Sequence, residues 1–162
     1  MPATPSLPLE AEYWLTDGVL TRRVLAWLVD MLLVGILLAI GWTMLGVLSV
    51  ATLGLGLPLF ALLPAVPFAY HWLLIGAMGA TPGQALCGIR VRRDDDLGPA
   101  SMFAALVFTA VLWLQLASSG LWLLAAFFTA RHRAIHDLAS GLVVVRSQAL
   151  TRIDDGWTVR DA

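Results

Sequence analysis

The stretch Arg22-Arg23-Val24-Leu25-Ala26-Trp27-Leu28-Val29-Asp30-Met31-Leu32-Leu33-Val34-Gly35-Ile36 places a carboxylate seven residues inside an apolar run that opens on two arginines. Between residues 24 and 89, Asp30 is the only formally charged side chain, and between residues 97 and 130 there is none. A helix crossing a bilayer needs about 20 mostly apolar residues, so both stretches are long enough to enter one. The first holds two spans, near residues 24–48 and 57–78, with the turn Leu53-Gly54-Leu55-Gly56 between them. Pro58, Pro64 and Pro67 predict a kink in the second. Proline is tolerated in a membrane helix where neighbours re-satisfy the freed carbonyls.

Composition agrees. Of 162 residues, 59% are hydrophobic and 13% charged, whereas soluble domains run near 45–50% and about 25%. Mean hydropathy is +0.83. All ten basic residues are arginine and the net charge is −1, which gives no support for a nucleic-acid partner. The single cysteine, Cys87, excludes an internal disulfide and a multi-cysteine metal site. The leader carries Glu10, Glu12 and Asp17 rather than a positive segment, so the first apolar run is not expected to be a cleavable signal.

Arginine placement sets an orientation. Arg22 and Arg23 precede the first span, residues 49–56 beyond it are uncharged, and Arg90, Arg92 and Arg93 follow the second. By the positive-inside tendency, the N-terminus and residues 79–100 face the cytoplasm. The third apolar stretch starts near Met102 and ends at Arg131-His132-Arg133. An even number of passes would keep that cluster inside. Ser118-Ser119-Gly120 divides the stretch into halves too short for a core of about 30 Å. A re-entrant hairpin is therefore favoured over one long tilted span.

Gly88-Ile89-Arg90-Val91-Arg92 alternates apolar and charged residues, the period of a half-wet strand, and Asp94-Asp95-Asp96-Leu97-Gly98-Pro99 ends it with turn chemistry. Residues 134–140 predict a short helix, and Leu142-Val143-Val144-Val145 a second strand. The two strands are expected to pair as a cytoplasmic ribbon. The fold expected is an all-α membrane protein of three to four transmembrane or re-entrant helices with this small ribbon. Residues 1–19 read as a flexible tail, 20–146 as the membrane domain and 147–162 as a loose polar tail.

Asp30 is costly in hydrocarbon, and its default reading is a paired or functional group. Arg23 and Asp30 share a helix face but are too far apart to pair with each other, so each needs a partner from elsewhere. His71 stands at a similar depth on the second span. It either exchanges a proton with Asp30 or, more commonly, bonds a carbonyl in a helix interface. Tyr70 and Trp72 read as packing residues. Asp137 is expected to receive Arg23 or Arg131. Arg90, Arg131, Arg133 and His136 are candidates at the cytoplasmic surface, with topology anchoring the ordinary role for the arginines. His132, His136 and Asp137 find no further ligand set, so no metal is expected, and no cofactor is implied. Residues 79–84 form a tight turn without the spacing of a phosphate-binding loop.

Three separated pieces resemble the RDD family of small bacterial membrane proteins. They are Arg23-Val24-Leu25-Ala26-Trp27-Leu28-Val29-Asp30, the segment from Gly79-Ala80-Thr81-Pro82-Gly83-Gln84 to Gly88-Ile89-Arg90-Val91, and His136-Asp137-Leu138-Ala139-Ser140-Gly141-Leu142-Val143-Val144. The resemblance places the family's namesake residues on Arg23, Asp30 and Asp137. Gln84 stands where the family usually has lysine, and Leu142 where it usually has threonine. Some members are linked to cation–proton exchange.

Two functions follow as expectations. One is a small transporter in the inner membrane with Asp30, His71 and Asp137 as protonatable groups. The other is a non-catalytic assembly or accessory protein whose Arg/Asp cluster is structural. The lipid bilayer and a second copy or another membrane protein are the expected partners. No nucleophile–base arrangement marks an enzyme.

Overall fold

The computed structural model describes Leu15, residues 18–118 and residues 135–154. Helix α1 runs over Val19–Ala51, 33 residues. At 1.5 Å per residue it is about 50 Å long, more than the hydrocarbon core requires. Its mean hydropathy reaches 2.5, and only 17% of its most apolar window is buried inside the protein. Leu32, Ile36, Met44 and Val47 all stand exposed. Val19, Ala26, Asp30 and Val34 face inward. Their spacings of seven and four define one narrow stripe, so α1 touches the rest of the protein along a single seam.

The stretch expected as one kinked span is two pieces. A 3-10 helix covers Leu57–Leu62 and helix α2 covers Ala65–Met78. Proline placement explains the break. Pro58 starts the 3-10 segment and Pro64 caps α2. Pro67 lies in the first turn of α2, where an amide N–H would have no intrahelical partner anyway. The kink expected from the prolines is therefore a complete interruption. Helix α2 ends on Gly79, whose φ of 68° suits glycine and whose N–H returns to the Ile75 carbonyl.

Thr81 then opens a short helix α3, Pro82–Leu86, as a capping box with Gln84. Strand β1, Ile89–Arg93, pairs antiparallel with β2, Leu142–Arg146, with Val91 opposite Val144. Both strands fall where the alternation and the valine run predicted them. Ile89, Val91, Leu142 and Val144 enter the main core with Val19, Ala26, Ile75, Ala105 and Phe108. The opposite ribbon face buries Val143 and Val145 against Leu15 and Leu150. The ribbon has a packed layer on each side.

Helix α4 spans Met102–Ala117, with Ser101 accepting from the Ala104 N–H at its start. It packs along α2. It stops at Ser118, where the turn was expected. Residues 119–134 lie outside the described residues, and with them part of the choice between hairpin and single span. Helix α5 occupies Ile135–Ser140 and packs on α4. One expectation is corrected at the end of the chain. Ser147–Asp154 form helix α6 rather than a loose tail, with Leu150 buried in the second core layer. The protein is thus mostly helical, with one long apolar helix and a two-stranded ribbon.

Candidate functional site

The inward seam of α1 carries both residues that a lipid-facing helix would avoid. Asp30 is 3% exposed. Its Oδ1 accepts from the Tyr70 hydroxyl at 2.8 Å and from the Gly83 N–H at 2.9 Å, and its Oδ2 accepts from the Thr81 hydroxyl at 2.5 Å. A carboxylate offers roughly four lone-pair positions, and three donors converge here from two other elements.

The local sequence explains why those donors are in place. Thr81 is the cap of α3: its Oγ1 accepts from the Gln84 N–H, and its own N–H donates to Gln84 Oε1. Pro82, at the first helical position, has no N–H to satisfy. That leaves the Gly83 N–H, which Asp30 takes. The aspartate on α1 therefore completes the start of α3. Gly83 must be glycine for this approach, since a Cβ there would collide with the Ala26 carbonyl oxygen and lie 2.8 Å from the Asp30 carboxyl. Three separate pieces of chain (α1, α2 and the capped start of α3) meet on one carboxylate.

His71 does not join them. Its Nδ1 lies 2.9 Å from the Pro67 carbonyl oxygen, four residues back, and donates to it. Its ring stands edge-on to Tyr70, and to Trp113 at 6.4 Å. Of the two roles open to it, His71 takes the carbonyl bond and does not pair with Asp30. The neighbouring Tyr70, read from the sequence as a packing residue, makes the contact instead. Thr81 and Gly83 were missed as partners too. A threonine followed by proline and, three residues on, glutamine is the signature of a helix start, and it was the available signal.

A second centre forms one heptad earlier. Arg23 Nη1 donates to Asp137 Oδ2 at 2.6 Å. Asp137 is fully buried, and the Arg23 side chain is 14% exposed. Next to them, His136 Nδ1 lies 2.7 Å from Gln115 Oε1, and its Nε2 lies 3.6 Å from Asp137 Oδ1. Phe108 closes edge-on against the imidazole at 4.6 Å. Burial lowers the His136 pKa to about 4, with the Arg23 charge adding to the effect and Asp137 opposing it. His136 is therefore buried and neutral rather than a surface residue.

The two centres differ in completeness. Among the described residues, Arg23 Nε and Nη2 and Gln115 Nε2 are buried without a hydrogen-bond partner. Helix α1 has a further tie at this end, where Arg22 Nη1 donates to the Cys87 carbonyl at 2.7 Å. Arg90 is exposed on the ribbon. Arg131, His132 and Arg133 lie outside the described residues. Among the described residues, no group of three or more His, Cys, Asp or Glu side chains has the arrangement of a metal site. The Asp94–Asp96 turn is held by Arg93 on Asp96 and by the Gly98 N–H on the same carboxylate, at the surface.

The sequence profile of the RDD family matches residues 18–141. That range takes in Arg23, Asp30 and Asp137. No curated protein and no solved structure matches the chain.

Proposed function

The chain belongs to the RDD family, and from that premise we propose that it is a multi-pass protein of the inner membrane, N-terminus cytoplasmic, with an assembly or accessory role rather than a catalytic one. In this reading its Arg/Asp groups fasten helices together. The clamped ribbon and α5 form a cytoplasmic platform, and the exposed apolar faces of α1 meet lipid and a second copy or another membrane protein. The observation that carries it is the state of Asp30. A carboxylate that carries protons must exchange its donors, and this one is buried and held by three that do not titrate near neutral pH. Removing such a group leaves buried donors unpaired, which costs stability rather than turnover.

Cation–proton exchange is the second reading. It is favoured by the neutral His136 beside the buried Asp137 carboxylate, since protonatable groups in membrane proteins commonly lie on proton routes.

Asp30→Asn separates the two. It keeps the shape and removes the charge. In the assembly reading the variant is lost from the membrane or misassembled, seen as reduced protein level and altered size in detergent. In the transport reading cation-driven pH change in proteoliposomes vanishes while the protein level stays normal. A normally assembled Asp30→Asn protein would overturn the assembly reading.

A further inference from the structure

The chain that turns from α1 into α2 is apolar where a loop in water would be polar. Leu53 is 98% exposed and Leu55 82%, with Met44, Val47 and Val50 exposed before them and Leu57 and Leu62 after them. No formally charged side chain lies between residues 31 and 89. The hydroxyls nearby are spent inside the chain: Thr43 Oγ1 donates to the Ala39 carbonyl at 2.8 Å and Thr52 Oγ1 to the Leu48 carbonyl at 2.6 Å.

The backbone of the turn is closed in the same way. The Leu53 N–H donates to the Val50 carbonyl, and the Gly54 N–H reaches back to the Ser49 carbonyl at 2.7 Å, a Schellman ending to α1. The N–H groups of Thr52, Leu55, Leu57 and Leu59 also end on carbonyls between residues 48 and 56, and Pro58 has none to satisfy. From residue 52 to 59, only the Gly56 N–H makes no such bond among the described residues. A turn in water needs no such closure, because water satisfies what the chain leaves open; backbone in hydrocarbon must satisfy itself. Leu53 adds a second sign. Its φ of 52° is the left-handed conformation that glycine usually supplies at this position. A side chain so exposed has no contact within the protein to offset that strain, whereas surrounding hydrocarbon offsets it.

We propose that this turn is embedded in lipid: Leu53, Leu55 and Leu57 lie among acyl chains at the far boundary of the bilayer, and the α1–α2 hairpin offers no aqueous surface there. The inference rests on the membrane placement proposed above and names what covers the far end of the hairpin. Helix length agrees. Residues 24–51 make about 42 Å of helix, against a hydrocarbon core of about 30 Å. Upright, α1 would lift its last turns and these leucines into water. A tilt of about 40°, inside the range of membrane helices, brings the rise down to about 32 Å. A protein docked on the far side would meet a polar rim at the water boundary, and the uncharged run from residue 31 to 89 does not supply one. Recognition of other proteins by the described residues then falls to the opposite end, where Arg22, Arg23, the ribbon and α5 carry charge, and to the membrane plane.

Spin labels test this on the full chain in phosphatidylethanolamine–phosphatidylglycerol vesicles, in a Cys87→Ser background. One label goes on Leu53→Cys and, separately, one on Leu55→Cys, which leaves the strained Leu53 intact. Leu37→Cys, exposed near the middle of α1, marks the acyl chains, and Arg90→Cys on the ribbon marks water. Relaxation by oxygen, which concentrates in hydrocarbon, is compared with relaxation by a water-soluble nickel chelate. The oxygen-to-nickel ratio at 53 and 55 is expected to shift to the oxygen side, with position 37 and opposite to position 90. Nickel-dominated relaxation at 53 and 55 alone would overturn the inference and leave the membrane placement standing. Weak relaxation by both reagents, the mark of cover by a second copy or another protein, would overturn it as well. Nickel-dominated relaxation at position 37 too would remove the membrane placement itself.

Discussion

Asp30 and Arg23 sit on one seam of one helix, seven residues apart, yet their surroundings differ in kind. The Asp30 clamp is built from a phenol, a threonine hydroxyl and a backbone N–H, donors that stay donors across the physiological range. The Arg23 clamp is built from an aspartate and a histidine, and among the described residues it leaves Arg23 Nε and Nη2 unpartnered. A fully satisfied buried charge fixes geometry, whereas a partly satisfied one is where geometry can change. The seam thus has a fully satisfied fastening deeper in α1 and a less complete one near its start.

The largest effect is expected from breaking the less complete clamp outright. Arg23→Met leaves Asp137 buried without its guanidinium, and losing one partner of a buried ion pair costs about 3–5 kcal/mol. Thermal unfolding in detergent should report it. Arg23→Met combined with Asp137→Leu should recover most of the loss, because both charges of the buried pair are then removed together. If the double variant is as unstable as the single one, the pair is needed for more than neutralising Asp137.

How much of this contrast was readable beforehand depends on which physical signal carried it. Charge against an apolar background is local information, so Arg23, Asp30 and Asp137 stood out at once. Alternation over Ile89–Arg93 and the valines of Leu142–Arg146 likewise gave the ribbon. Partner identity was not local. Whether Tyr70 or His71 meets Asp30 is a matter of helix phase, about 100° apart for adjacent residues. That phase is set by where α2 begins. The break at Pro64 restarts the helix there, whereas a continuous helix from residue 57 carries no such restart. Gly83 could not announce itself either, because its contribution is a backbone N–H that any residue but proline possesses. Only the steric demand of Ala26 and Asp30 makes it glycine. Residues 147–154 misled for the opposite reason: their polar composition hid the buried Leu150 that anchors α6.

Gly83→Ala probes the fully satisfied clamp without touching any charge. The added methyl meets the Ala26 carbonyl and the Asp30 carboxyl, both held by helix α1, so the start of α3 must lift away. Overpacking of this kind costs about 1–3 kcal/mol. The loss should be the same at pH 7 and pH 5, in contrast to any change made around His136. A pH-dependent penalty for Gly83→Ala would merge the two clamps into one.

The smallest effect is the sharpest comparison. Tyr70→Phe deletes one of three donors to Asp30 and keeps the ring that packs edge-on against His71. Hydrogen bonds to charged groups contribute about 1.5–3 kcal/mol, and the partly buried phenol belongs at the low end. His136→Gln alters the other clamp, whose partners are different residues. Perturbations at independent sites add to within about 0.5 kcal/mol. The combined variant is therefore expected to lose the sum of the two single losses, measured as unfolding free energy in the same detergent. A coupling well above that bound would mean that α1 passes strain from residue 23 to residue 30. Additivity would instead confine each loss to its own half of the seam, the one to the contacts of Asp30 and the other to those of Arg23 and Asp137.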